Sequence, residues 1–394
     1  MVLAPLLLTA TVLLSDEITI ARGSDRPSDK QAHSLATTAT KTQPQPTSSW
    51  VDEHLRYYGT PDQTHNVAFE FDFLWWTVTQ NSLEYAQTKD YQVAGSGETT
   101  APRTGNMGPQ GTIREADFGW EPGFRGAFTY TFKGTPWFTA ADWTFLAASN
   151  SNTTTPPAGA FGYVTGLNLQ QDLILSTGLE APLSAIKSYL NFHYNTARLL
   201  VGAGWSIQKR LFFSLFVAPQ SSWVKQNWVL TLRDAVSATS VVTKQWYFRG
   251  YGVGVGTQTN FYLGRGVSLD LGGSVASQYG SQSYWGNQNI FRSTGAFFSN
   301  VEHMVQSGSR RFLWTTQIFT HLDWSLRFGK ASTLLSLGYE INGLYNINPQ
   351  YRTIPLDKGA ATIDNPDNAG SKAAMYANEP IFLHGLVLSA NVGF

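Results

Sequence analysis

The sequence predicts an all-β fold: a transmembrane, antiparallel, up-and-down β-barrel of about ten strands (ten to twelve), with short periplasmic turns and long extracellular loops. Three observations carry that expectation. First, residues 312–328 read FLWTTQIFTHLDWSLRF, which puts Phe312, Trp314, Ile318, Leu322, Trp324, Leu326 and Phe328 on one face and Gln317, His321, Asp323 and Arg327 on the other. The stretch far exceeds the roughly 5–6 residues of a soluble strand, and aromatic residues sit at both ends of its apolar face. Such a strand suits a bilayer, which about 9–11 tilted residues cross between two aromatic girdles.

The second observation is compositional. Charged residues make up 14% of the chain, against about 25% in an average soluble protein, while aromatics reach 14% and glycines number 36. Mean hydropathy is nevertheless slightly negative. Beyond the N-terminus no run approaches the ~18 apolar residues of a membrane helix. The third observation is that the segments between alternating stretches are short and long by turns, as in bacterial outer-membrane barrels.

Taken in order, residues 2–15 (VLAPLLLTATVLLS) have about the length of a secretory apolar core, so residues 1–21 are expected to be a signal peptide, although no Lys or Arg precedes the run. Residues 22–66 begin with a Ser, Thr, Gln, Lys and Pro-rich tract too polar to bury a core, a disordered linker with room for a short helix at 50–58. Residues 67–394 are the barrel.

The first strand, 67–77, alternates Val67, Phe69, Phe71, Phe73 and Trp75 with Ala68, Glu70, Asp72 and Leu74. The second, 124–132, sets Phe124, Phe128, Tyr130 and Phe132 against Arg125, Ala127, Thr129 and Thr131. In 138–148, Trp143 and Phe145 face out and Asp142 faces in. The fourth, 189–207, changes outward parity between Phe192 and Leu199, so one extra residue, a bulge, is expected there, turning Arg198 inward. The fifth is 211–232. In the sixth, 245–262, Tyr251, Val253 and Val255 oppose Gly250, Gly252, Gly254 and Gly256, a column suited to a bend in the wall or to a loop lying close inside it. Residues 267–271 follow with Asp270 inward, then the organising strand, then 335–342 with Leu335, Leu337, Tyr339 and Ile341 opposite Ser336, Gly338, Glu340 and Asn342, and last 381–394.

Short connections fall near 133, 208, 264 and 329. Long ones cover 80–113, 149–188, 234–244, 277–310 and 348–379, rich in Gly, Asn, Ser, Thr and Pro and expected to be exposed and mobile.

The run Trp120-Glu121-Pro122-Gly123-Phe124-Arg125, followed by GAFTYTF, is expected to kink or bulge its strand and aim Arg125 inward, because proline denies the sheet a donor and glycine permits unusual dihedrals. With FEFDFLWW at 69–76 and IFLHGLVLSANVGF at 381–394, it resembles the major outer-membrane proteins of the Legionella type, a pore-forming barrel family with chlamydial relatives. The resemblance spans about 67–394 and is clearest at Trp120, Pro122, Gly123, Phe124 and Arg125. It implies an outer-membrane location and passive passage of small solutes, and it makes Phe394 the C-terminal aromatic read by the outer-membrane assembly machinery. This chain has no cysteine, so a disulfide cross-linked envelope is not implied.

The expected lumen-lining set is Glu70, Asp72, Arg125, Asp142, Arg198, Asp270, His321, Asp323, Arg327 and Glu340. A wet lumen makes these a path with a weak cation preference; a filled one makes Asp and Arg a buried network. Barrels near eight strands are filled by side chains, so a sheet of about ten implies at most a narrow pore. The function expected is a narrow porin for small hydrophilic solutes or ions, with a structural or adhesive barrel of filled lumen as the alternative and a barrel-wall hydrolase third.

No catalytic, cofactor or metal residues are assigned. Ten-stranded barrels of this size include the omptin proteases, but here His321 and Asp323 lie towards the periplasmic half of their strand, where a structural polar pair is the simpler reading. The other histidines have no ligand spacing, and GYGVGVG lacks the Lys-Ser/Thr ending and the following helix of a phosphate loop. With 27 basic and 27 acidic side chains nothing favours a nucleic-acid partner. Outer-membrane lipid, small solutes or ions and the assembly machinery are the partners expected.

Overall fold

The structure, a computed structural model, describes residues 67–81, 83–90, 112–158, 162–166, 183–208, 210–235, 238–292, 294–328, 331–354 and 373–394. The expected signal peptide and linker, residues 1–66, lie outside them. Every regular element among the described residues is a strand: β1 Val67–Gln80, β2 Glu84–Asp90, β3 Thr112–Glu115, β4 Glu121–Thr131, β5 Trp137–Thr154, β6 Gly162–Gly166, β7 Leu183–Gln208, β8 Leu211–Asp234, β9 Thr239–Gly264, β10 Val267–Phe291, β11 Phe297–Phe328, β12 Ala331–Ile354 and β13 Ala373–Gly393. Ten of them close into one antiparallel barrel in the order β1-β13-β12-β11-β10-β9-β8-β7-β5-β4, with β4 back on β1. Closure brings the ends of the barrel together: Phe394 N donates to Val67 O at 3.0 Å.

The two-residue alternation explains why the sheet closes here. Phe71, Phe73 and Trp75 are exposed on the outside of β1 while Asp72 and Leu74 are buried inside it, and β12 does the same with Leu337 outside and Glu340 inside. Outward aromatics gather at two levels, Tyr251, Tyr279, Phe312 and Trp314 towards the long connections and Phe132, Trp137, Trp205 and Trp324 beside the short ones. Between them lies an aliphatic band that includes Val253, Val255, Ile318 and Leu337. This is the lipid-facing girdle pattern of an outer-membrane barrel.

Four features differ from the sequence expectation. The fourth strand carries no bulge between Phe192 and Leu199: β5 and β8 pair with β7 through that stretch without a register shift. Phe192 instead faces inward and is fully buried. The parity of apolar residues reverses because the barrel wall rises past the girdle and encloses an apolar interior of its own. Leu74, Trp76, Leu146, Leu190, Phe192, Trp228, Phe248, Leu313 and Leu344 form that layer.

Second, two of the expected long loops, 234–244 and 277–310, are largely wall among the described residues. Residues 277–310 continue β10 and β11 as a hairpin, and Asp234 closes a tight connection to β9 by accepting the Ala238 amide at 2.7 Å. Third, parts of the loops at 80–113 and 149–188 form a separate three-stranded sheet, β3-β2-β6. Tyr85 on β2 hydrogen-bonds Thr154 on β5 (2.6 Å), and Phe118 meets Phe192 edge-on at 6.0 Å, so this end extends the apolar layer.

Fourth, Pro122 and Gly123 leave the register of β4 with β1 unshifted. Pairing of β4 with β5 begins at Gly123, so the proline lies just before the start of that ladder. The glycine column of β9 likewise receives no loop among the described residues. A Cβ on Gly252 would lie 1.9 Å from the Ser277 carbonyl oxygen of β10, and one on Gly256 would lie 2.2 Å from the Phe216 ring of β8. The column lets neighbouring strands and rings approach the wall.

Leu337→Arg is expected to block assembly, since a charge at the midplane of a barrel's lipid face costs about 2–4 kcal/mol. Ser336→Arg, turned inward beside Asp323, is expected to assemble. Heat-modifiable migration of the two proteins recovered from membranes checks this, and equal behaviour would overturn the parity.

Candidate functional site: a charged belt across the lumen

The inward faces of β1, β4, β5, β7, β11 and β12 meet in one polar layer. Arg125 is its centre. Its Nη1 and Nη2 donate to Glu340 Oε1 and Oε2 at 2.8 and 2.7 Å, a two-pronged pair, Nη1 also reaches Asp72 Oδ2 at 3.2 Å, and Nε donates to Thr144 Oγ1 at 3.0 Å. Its guanidinium carbon lies 5.9 Å from the centre of the Trp76 ring, at the border of the apolar layer. A second fork stands beside it: Arg198 Nε donates to both oxygens of Asp142 at 3.0 Å, and Nη1 donates to Gln317 Oε1. Gln317 Nε2 points on to Glu340 Oε2 at 3.4 Å and joins the two forks. Since β7 and β11 are four places apart around the ring, this chain of contacts bridges the interior.

The remaining expected residues are distributed around this belt. Glu70 accepts Ser389 Oγ (3.2 Å) and Asn391 Nδ2 (3.4 Å), and Ser389 also donates to Asp72. Asp270 takes Gln258 Nε2 at 2.7 Å and Asp323 takes Asn260 Nδ2 at 3.3 Å, both nearer the short turns. His321 stacks on Phe319, ring centres 5.0 Å apart, and its Nε2 lies 3.8 Å from Glu340 Oε1. Arg327 pairs with Ser332 across the β11–β12 ladder, and its side chain lies outside the described residues.

Two cavities flank the belt. On the short-turn side a space of about 210 Å³ is walled partly by Phe138, Phe212, Phe216 and Phe319 and partly by Arg125, Asp142, Arg198, Gln317, His321 and Glu340. On the other side a space of about 20 Å³ touches Trp76, Thr144, Tyr194, Gln220 and Asn342. Arg125, Arg198 and Gln317 line both. Beyond the smaller space the interior is mainly apolar but also buries Gln226, Gln282 and Gln288, with Trp228 held by Ser188 (2.8 Å) and covered by Lys244 at 5.5 Å.

Reading charged residues alone misses the uncharged partners Thr144, Gln258, Gln317, Ser389 and Asn391. The same alternation that points their charged neighbours inward would have found them. The apolar layer had no such signal, because an inward Phe192 reads in sequence like a lipid-facing one. No group of His, Asp or Glu able to hold a metal ion occurs among the described residues.

A family model described as the Legionella pneumophila major outer membrane protein precursor matches residues 59–362. The chain belongs to this family. Its location is the bacterial outer membrane. No curated protein matches the chain by sequence. Among solved structures it is similar to the outer membrane protease OmpT of Escherichia coli, at 7% identity over 85% of this chain and 97% of that one, with a TM-score of 0.38. It is also similar to the Pseudomonas putida toluene transporter TodX, at 8% identity over 86% and 91% with a TM-score of 0.27. A Pseudomonas aeruginosa FadL homologue matches at 7% identity over 84% and 90%, with a TM-score of 0.23. Scores this low transfer no activity to this member of the Legionella family.

Removing one partner of a buried ion pair strands the other, at about 3–5 kcal/mol. Arg125→Gln and Glu340→Gln are each expected to lower the unfolding midpoint of the folded barrel in urea, and the double variant to lose less than the sum of the two. Strict additivity would remove the belt as a coupled unit.

Proposed function

We propose that this outer-membrane barrel is a tightly constricted pore for ions and small hydrophilic solutes, shut in its resting arrangement by the Arg125–Glu340 and Arg198–Asp142 forks. One observation carries this reading: the same three side chains, Arg125, Arg198 and Gln317, separate two interior spaces that lie end to end along the barrel. A solute entering from the short-turn side meets a wall made of movable side chains. The acids Glu70, Asp72, Asp142, Asp270, Asp323 and Glu340 outnumber the two belt arginines, which favours cations.

A sealed barrel with a structural role is the second reading, favoured by the apolar layer above the belt. We assign no hydrolytic step: the His321 ring stacks on Phe319, and no hydroxyl nucleophile is hydrogen-bonded to its Nε2 among the described residues. The partners proposed are outer-membrane lipid, the solutes themselves and the assembly machinery, which would engage the exposed terminal Phe394.

Single-channel recording of the purified protein in planar bilayers distinguishes the two readings. The pore predicts small discrete steps in the wild type and larger or more frequent ones in Arg125→Gln/Glu340→Gln, whereas silence in both proteins establishes the sealed barrel. For the assembly contact, deletion of Phe394 is expected to reduce the fraction of heat-modifiable barrel in outer-membrane preparations severalfold, and an unchanged fraction overturns that assignment.

A further inference from the structure

The outer wall of β8 to β11 carries its side chains in level rows. Ser221, Tyr251, Tyr279 and Phe312 pair across the four strands in one row, part of the aromatic girdle towards the long connections. The next row away from the membrane is Trp223, Arg249, Ser281 and Arg310, and Lys225 opens the row beyond it, opposite Tyr247. Three cations therefore stand on the outer face immediately above the girdle, with the small Ser281 leaving a gap between Arg249 and Arg310.

The surroundings leave these charges unneutralised. On β8, β9 and β10 the only acids are Asp234 and Asp270, both buried; on β11 Asp323 is buried near the short turns and Glu302 pairs with Gln288, several residues from Arg310. Lys225, Arg249 and Arg310 make no ion pair among the described residues. Arg249 is held in place by a neutral group: its Nε donates to the Tyr251 hydroxyl at 2.8 Å, and its guanidinium carbon lies 5.5 Å from the centre of that ring. A cation fixed against a girdle tyrosine sits at headgroup depth, and the exposed Val253, Val255 and Ile318 below it offer a surface to acyl chains.

We propose that Lys225, Arg249 and Arg310 form a binding site for the phosphate groups of a phosphorylated glycolipid in the outer leaflet. The guanidinium forks match phosphate oxygens in two-pronged geometry, and the ammonium of Lys225 adds a point charge from the neighbouring strand. The wall below holds the acyl chains, so the lipid is recognised at both ends and ordered along β8 to β11. The site rests on the outward parity of these strands and on the long-connection end facing outward. It is independent of whether the lumen conducts.

The test uses the purified full-length protein in detergent, with lipid retention counted by native mass spectrometry. The probes are bis-phosphorylated lipid A, the same lipid after phosphatase treatment, and phosphatidylethanolamine. Wild type is expected to retain the bis-phosphorylated form in preference to the other two, and Lys225→Gln/Arg249→Gln/Arg310→Gln to lose roughly tenfold to a hundredfold of that retention. Lys133→Gln/Arg210→Gln, which removes exposed cations at the opposite end, is expected to bind as wild type. Heat-modifiable migration of every variant confirms that it is folded before binding is scored. Equal retention of phosphorylated and dephosphorylated lipid, or unchanged retention in the triple variant, overturns the proposal. So does loss of self-association in that variant with lipid binding intact, which would make the row a contact between copies of the chain.

Discussion

Two ion pairs, Arg125 on Glu340 and Arg198 on Asp142, span the interior of this barrel. A closed sheet of ten strands turns alternate side chains into one shared interior too narrow to leave them all in water. Desolvating a charge there costs several kcal/mol unless a partner and further hydrogen bonds replace the water. The structure meets that demand with the two-pronged Arg125–Glu340 pair, the shared Arg198 Nε–Asp142 pair, Thr144 on the Arg125 Nε donor and Gln317 spanning the gap between the pairs. These groups come from β4, β5, β7, β11 and β12, so the belt also ties together elements distant in sequence.

The interior is layered along its axis as a consequence. The belt divides an amphipathic space on the short-turn side from a mainly apolar interior on the other, and Trp76 marks the border by presenting its ring to Arg125. The wall itself continues past the girdle as long hairpins, so strands enclose the upper layer at its sides. Burial of Phe192, Trp228 and Phe248 supplies the hydrophobic part of the stability, and the belt supplies registry. The proposed path through the lumen would therefore have to disturb the contacts that hold the interior together.

The outside of the barrel follows a separate logic. Its aromatic and aliphatic rows answer to lipid, and the cations above them answer to whatever lies at headgroup depth. Because inside and outside residues alternate along each strand, the two surfaces can change independently.

Much of this was legible in the residues. Strand parity placed Glu70, Asp72, Arg125, Asp142, Arg198, Asp270, Asp323 and Glu340 on the inward face, and closure and strand number follow from the rhythm of alternating segments and short turns. What the sequence by itself determined was which side of each strand meets lipid, because that depends only on a period of two. Which inward groups touch was decided by the tertiary structure, since Arg125 and Glu340 are 215 residues apart and meet only when the sheet closes with a particular stagger. The same holds for Phe192: its chemistry suits lipid and a dry core equally, and only the height of the wall around it settles which one it faces.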